Sequence, residues 1–179
     1  MPRTQGFTLW ELLCAIAIAG IVLGLGVPSF QGFVQDGRRT ADVNALVLAV
    51  QVARSEVAKR GRTVIVCATR DQERCGDFER GATSGWMAFV NTDDVYPPRR
   101  SRDETLLYVH QPEIDGSIVG NRPYFEFRPT LRRSTNGTVV FCDRRGSRAA
   151  RAVIVSYTGR PRVDSLGADG KPLPCAALS

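Results

Sequence analysis

Residues 7–27 read FTLWELLCAIAIAGIVLGLGV, about twenty residues with a single charge, at Glu11. As a helix, a run of this length matches the roughly 30 Å of hydrocarbon in a bilayer. Arg3 lies on the short N-terminal side, so the positive-inside bias puts the N-terminus in the cytoplasm and everything after Pro28 on the far side. A secretory signal peptide competes with this reading, because it too has a basic start and an apolar run with small residues, here Ala15, Ala17 and Ala19. Glu11 argues against it. A carboxylate inside an apolar span costs about 2 to 4 kcal/mol, so such a group is expected to be paired and functional.

Beyond the span, Gly24, Gly26 and Pro28 loosen the helix and predict a bend rather than an end, because a helical pattern resumes. From Arg38 to Lys59 the apolar residues Val43, Leu46, Val47, Val50, Val52 and Val57 recur at roughly helical spacing, with Arg39, Asp42, Arg54 and Glu56 between them. Gly61 is a natural stop. A helix over 7–60 would be on the order of 80 Å long. After Gly61 the pattern changes to short β-rich runs: TVIVCAT at 63–69, GWMAFVN at 85–91, ETLLYVHQ at 104–111, YFEFRP from 124, GTVVFCD from 137 and AVIVSYTG from 152. Hairpin spacing of such runs predicts six or seven antiparallel strands. The predicted fold class is therefore α+β: a long N-terminal helix, transmembrane in its first half and amphipathic in its second, packed on a small antiparallel β-sheet domain.

A chain of 179 residues has room for one anchor and one modest domain. Its net charge is +6, and all but Lys59 and Lys171 of its 24 basic residues are arginine. That excess favours an anionic partner, and the planar arginine fork suits phosphate; arginine is equally common in proteins from GC-rich genomes. Cys14 falls in the apolar run as a free thiol, whereas Cys67, Cys75, Cys142 and Cys175 fall in the β-rich part. With no C-x-x-C pair and His110 as the one histidine, zinc lacks ligands, and two disulfides in an oxidising compartment account for all four. Cys67 with Cys75 would close a short loop, and Cys142 with Cys175 would tie the tail to a strand.

Little else points to catalysis. His110 sits in the alternating run LLYVHQP with no nucleophile elbow nearby and reads as a strand-face residue. Asp93 with Asp94 and Asp103 with Glu104 read as loop charges or caps rather than a metal site. There is no glycine-rich phosphate loop, so no cofactor, metal or enzymatic activity is expected, and any force for assembly comes from a separate ATPase.

Gly6, Phe7, Thr8, Leu9 and Glu11 resemble the cleavage and methylation motif of type IV prepilins. The resemblance implies that a prepilin peptidase cuts after Gly6 and methylates the new N-terminus at Phe7. Residues 1–6 are then a leader, 7–27 and 28–60 the two halves of the helix, and 61–179 the globular domain. Glu11 becomes the fifth mature residue, an assembly residue pairing with the Phe7 amine of a neighbouring subunit. Pro28 falls where such pilins often have a helix-bending proline. Val64 to Cys67, Cys75, Trp86 with Phe89, Asn91 to Asp93, Phe127, Gly137 to Cys142 and Ile154 to Arg162 extend the likeness and narrow it to the FimT and GspH family of minor pilins and pseudopilins. It implies a type IV pilin-like fold. The partners it implies are major and minor pilins and an inner-membrane assembly platform, and the location is the inner membrane, then an extracellular pilus or periplasmic pseudopilus.

Basic charge concentrates in the C-terminal third, at Arg128, Arg132, Arg133, Arg144, Arg145, Arg148, Arg151, Arg160, Arg162 and Lys171. Gly159, Arg160, Pro161 and Arg162 resemble the Gly-Arg-x-Arg signature of FimT proteins that bind DNA during natural transformation. By that resemblance Arg160 and Arg162 contact the backbone of double-stranded DNA, while Arg144, Arg145, Arg148 and Lys171 extend the basic surface. Such binding uses phosphates, with little sequence preference, and weakens as salt rises. The alternative is a structural minor pilin or type II secretion pseudopilin that primes or caps a filament without DNA.

Overall fold

The computed structural model describes residues 8–81, 84–93, 95–129 and 134–175, with no side-chain description at 26–29. Helix α1 spans Leu9–Arg60. The chain divides into two units, Met1–Gly37 and Arg38–Ser179.

In the first unit Leu9, Trp10, Leu12, Leu13, Ile16, Ile18, Ile21, Val22, Leu23 and Leu25 are all exposed. An apolar helix with no buried side is built for lipid or for other helices, and this one is long and apolar enough to cross a membrane. The Thr8 hydroxyl caps its start, accepting from the Glu11 amide at 3.2 Å. Helical backbone continues through Gly24, Gly26 and Pro28.

In the second unit the helix buries Val43, Leu46, Ala49, Val50, Ala53 and Val57, the stripe that three- and four-residue spacing places on one face. It ends at Gly61, whose φ of +62° and amide bond to the Val57 carbonyl make a left-handed cap. Eight strands are formed by the described residues: β1 Thr63–Ala68, β2 Trp86–Asn91, β3 Leu106–His110, β4 Gly116–Gly120, β5 Tyr124–Phe127, β6 Gly137–Asp143, β7 Arg151–Val155 and β8 Pro161–Asp164. They form two antiparallel four-stranded sheets, ordered β3-β2-β1-β5 and β4-β6-β7-β8. The six strand runs read from sequence are present. The two it lacked, β4 and β8, have little apolar patterning: β4 reads GSIVG with only Ile118 buried, and β8 is an edge strand that opens with proline. Gly116 is required in β4, because a Cβ there would run into the Cys142 carbonyl of its neighbour.

Alternation gives each sheet an inner and an outer face. Val64, Val66, Trp86, Ala88, Phe125 and Phe127 of the first sheet join Ile118, Val139, Phe141, Val153 and Val155 of the second and the helix stripe in one core. The Trp86 ring meets Phe141 edge-on, with centroids 6.1 Å apart. Outside the first sheet, Ile65, Cys67, Met87 and Phe89 form a smaller cluster, and Cys67 is bonded to Cys75 in the following loop. Outside the second, Val140, Cys142, Ala152 and Ile154 are covered by Leu173, and Cys142 is bonded to Cys175.

Two polar anchors join the helix to the sheets. Asp42, fully buried, accepts from His110 Nε2 at 2.7 Å and from the amides of Glu113 and Ile114 at 3.1 and 2.8 Å. His110 is thus a strand residue with a structural task, its ring packed at 4.6 Å from Trp86. Arg39 Nη1 lies 3.1 Å from the Asp143 carboxylate at the end of β6, and both side chains are buried. Two of the loop acids act as caps: Glu104 accepts from the amides of Thr92 and Ser101, and Asp93 from that of Val95, while Asp94 lies outside the described residues.

Candidate nucleic-acid interface

Strand β7 separates two basic turns. Its first residue, Arg151, pairs with Phe141 and its last, Val155, with Gly137. The β6–β7 turn with Arg144, Arg145 and Arg148 therefore lies at one end of the second sheet and the β7–β8 turn with Arg160 at the other, about 13 Å apart along the strand. The single basic surface expected from sequence is divided, because a hairpin reverses direction at each turn and neighbours in sequence land at opposite ends.

At the first end, Arg145 is a framework residue. It wraps the buried Asp143 carboxylate, with Nη2 at 2.5 Å from Oδ2, and its amide caps the same group at 2.9 Å. Burial pushes the Asp143 carboxyl up, but the Arg145 hydrogen bonds and the charges of Arg145 and Arg39 outweigh it and hold the group below its usual 3.8. Arg144 pairs with Asp115 at 2.8 Å on the open surface. Arg148 is exposed in the short 3₁₀ turn Gly146–Arg148.

At the other end, residues 156–160 form a tightly bonded turn. The Gly159 amide donates to the Ser156 carbonyl at 2.8 Å and the Ser156 amide to the Arg160 carbonyl at 3.0 Å. Ser156 Oγ also accepts from the Arg160 amide at 3.2 Å and meets the Thr158 hydroxyl at 2.9 Å. Gly159 has φ of +72° and lies over the Phe127 ring, where a Cβ would come within 3.1 Å. Glycine is needed for both reasons. Arg160 follows, exposed, and Arg162 projects from β8 with Nη1 3.0 Å from Asp164. Of the six cationic residues singled out in the sequence, Arg148 and Arg160 have no acidic partner among the described residues; Lys171 has Asp169 at 3.6 Å.

Register adds a residue that the sequence reading passed over. Because Gly120 pairs with Val139 and Gly137 with Val155, the turn after β4 lies at the Arg160 end. It carries exposed Arg122, whose Nε donates to the Asn136 carbonyl at 3.1 Å. Strand pairing brings it there; in the sequence it stands six residues before Arg128 and 38 before Arg160. Arg128 is occupied, gripping Glu126 through Nε and Nη2 at 2.9 and 2.7 Å, and those bonds raise its pKa. Arg132, Arg133, Gly6 and Phe7 lie outside the described residues. Glu11 is exposed in the first turn of the helix.

Comparison with known proteins agrees with the architecture. Residues 42–159 match the family model described as type II transport protein GspH, and residues 1–27 match that of the prokaryotic N-terminal methylation motif. Two crystal structures of the type IV minor pilin FimU from Pseudomonas aeruginosa, strain PAO1, are similar. One has 17% identity and a TM-score of 0.52 over 70% of this chain and 91% of FimU. The other has 16% identity and a TM-score of 0.55 over 74% and 92%. These likenesses concern the fold. No curated protein matches the chain. The chain belongs to the GspH family, as a type IV pilin-like minor pilin or pseudopilin that interacts with other pilins.

Proposed function

We propose that this minor pilin binds double-stranded DNA through its phosphates, for uptake in natural transformation, at the end of the second sheet that carries Arg160, Arg162 and Arg122. The observation that carries the reading is Arg160, exposed without an acidic partner among the described residues, on a turn fixed by four hydrogen bonds. A guanidinium on a pre-ordered turn loses little entropy on meeting phosphate. Arg144, Arg148 and Lys171 add long-range attraction, and Arg145 serves the framework. Few contacts per subunit give weak binding, which several subunits on one filament would strengthen.

Assembly follows the prepilin route in this proposal. A prepilin peptidase removes residues 1–6 and methylates Phe7. Residues 7–27 anchor the chain in the inner membrane with its N-terminus cytoplasmic and residues 61–179 periplasmic. At the assembly platform Glu11 pairs with the Phe7 amine of the neighbouring subunit, which compensates its charge in an apolar setting and sets the axial register.

A second reading is favoured by the GspH match: a pseudopilin of type II secretion, or a structural minor pilin, that primes or caps a filament through protein contacts alone. Binding of the full chain, in detergent micelles, to a labelled duplex across a salt series separates the two. DNA binding predicts a log–log salt slope of about −2 to −3, reduced by about 1 in Arg160→Gln. No binding at low salt leaves the structural reading.

A further inference from the structure

The turn that presents Arg160 also presents an aromatic ring. Tyr157 stands at its tip with 54% of its surface exposed, although the core of the same unit has room for six large aromatic side chains buried below 2%. Its backbone is fixed on both sides: the Tyr157 carbonyl accepts from the Ser134 amide at 3.1 Å, and the Ser156–Arg160 bonds close the turn around it. A tyrosine has only two side-chain torsions, so a ring on a rigid turn meets a partner at small entropic cost.

Phosphate contacts do not use a ring. An exposed aromatic three residues from an exposed arginine combines the two elements of single-strand recognition, a π-face for a base and a cation for the backbone. Bases inside a closed duplex are already stacked and offer no free face; those of a single strand, or of a frayed duplex end, do. We infer that Tyr157 stacks on an unpaired base beside Arg160, so that this turn prefers single-stranded DNA and free duplex ends to closed duplex. The inference rests on the DNA-binding reading above and deepens it.

Phosphate attraction alone predicts the opposite order, because a duplex carries the higher charge density. The test compares a labelled single-stranded 20-mer with a duplex of equal phosphate number closed at both ends by non-nucleotide linkers, using full-length protein in detergent micelles at fixed low salt. The single strand is expected to bind about five- to tenfold tighter, at the low end for one stacked base. Tyr157→Ala is expected to abolish that preference while leaving duplex affinity and its salt slope unchanged, and Tyr157→Phe to keep it. Arg160→Gln should weaken both DNAs alike. A wild type without the preference, a preference that survives Tyr157→Ala, or its loss in Tyr157→Phe overturns the stacking role while duplex binding stands. Failure of wild type to bind either DNA overturns the DNA-binding reading itself, and this inference with it.

Discussion

The sharpest test of the architecture is Asp42→Ala. Asp42 is fully buried on the helix, and its carboxylate serves His110 and the amides of Glu113 and Ile114 at the β3–β4 connection. Alanine leaves both amides without an acceptor where water does not reach the old carboxylate, at about 1 to 3 kcal/mol each. His110 keeps 21% side-chain exposure and can turn toward water, so its loss adds little. Alanine's better helix propensity and the relief of a desolvated carboxylate return about 1 kcal/mol. The expected net loss is about 1 to 5 kcal/mol, which for a domain of this size lowers the melting temperature by roughly 4 to 20 °C. Urea unfolding of full-length protein in micelles, followed through buried Trp86, measures it, and hydrogen exchange at the Glu113 and Ile114 amides should accelerate. A loss below about 1 kcal/mol with both amides still protected would refute the reasoning, since the loop would then be held by other contacts.

Three further outcomes follow from the same structure. Replacing Cys142 and Cys175 by serine opens a loop with a sequence separation of 33, and chain entropy predicts a loss of up to about 4 kcal/mol, against about 2.5 kcal/mol for the Cys67–Cys75 pair with a separation of 8; denaturation of the two double variants ranks them. Acid should destabilise the fold through Asp143. Its folded pKa lies below its ordinary 3.8, so its contribution is complete above about pH 4 and is lost as pH falls through the lower folded value. Stability measured from pH 6 to pH 2 should show this decline, and Asp143→Asn, already less stable at neutral pH, should show a shallower one. Gly159→Val combines a β-branched residue at φ +72° with contact against Phe127 and should cost about 2 kcal/mol or more and weaken DNA binding, whereas Gly146→Ala, at φ +72° in open space, should cost about 1 kcal/mol and leave DNA binding unchanged.

Much of the fold was legible because it rests on local periodicity. The uninterrupted apolar run, the three- and four-residue spacing from Val43 to Val57 and the alternating β runs each encode an element without reference to the rest of the chain. Strands β4 and β8 were silent because their places are set by partners: Gly116 is chosen by the approach of the Cys142 carbonyl, and β8 is held by pairing with β7 alone. The candidate site was legible as the composition Gly-Arg-Pro-Arg, not as a surface.

The sequence by itself determined an apolar N-terminal helix carrying one carboxylate, an α+β class and an excess of arginine, since length, period and charge are properties of neighbours along the chain. Only the tertiary structure decided which arginines share a face. Arg145 reads as part of a basic run but is consumed by buried Asp143, and Arg122, which the sequence does not single out, stands at the end with Arg160. The physical reason is that charge availability depends on distance through space, which strand register sets and sequence separation does not.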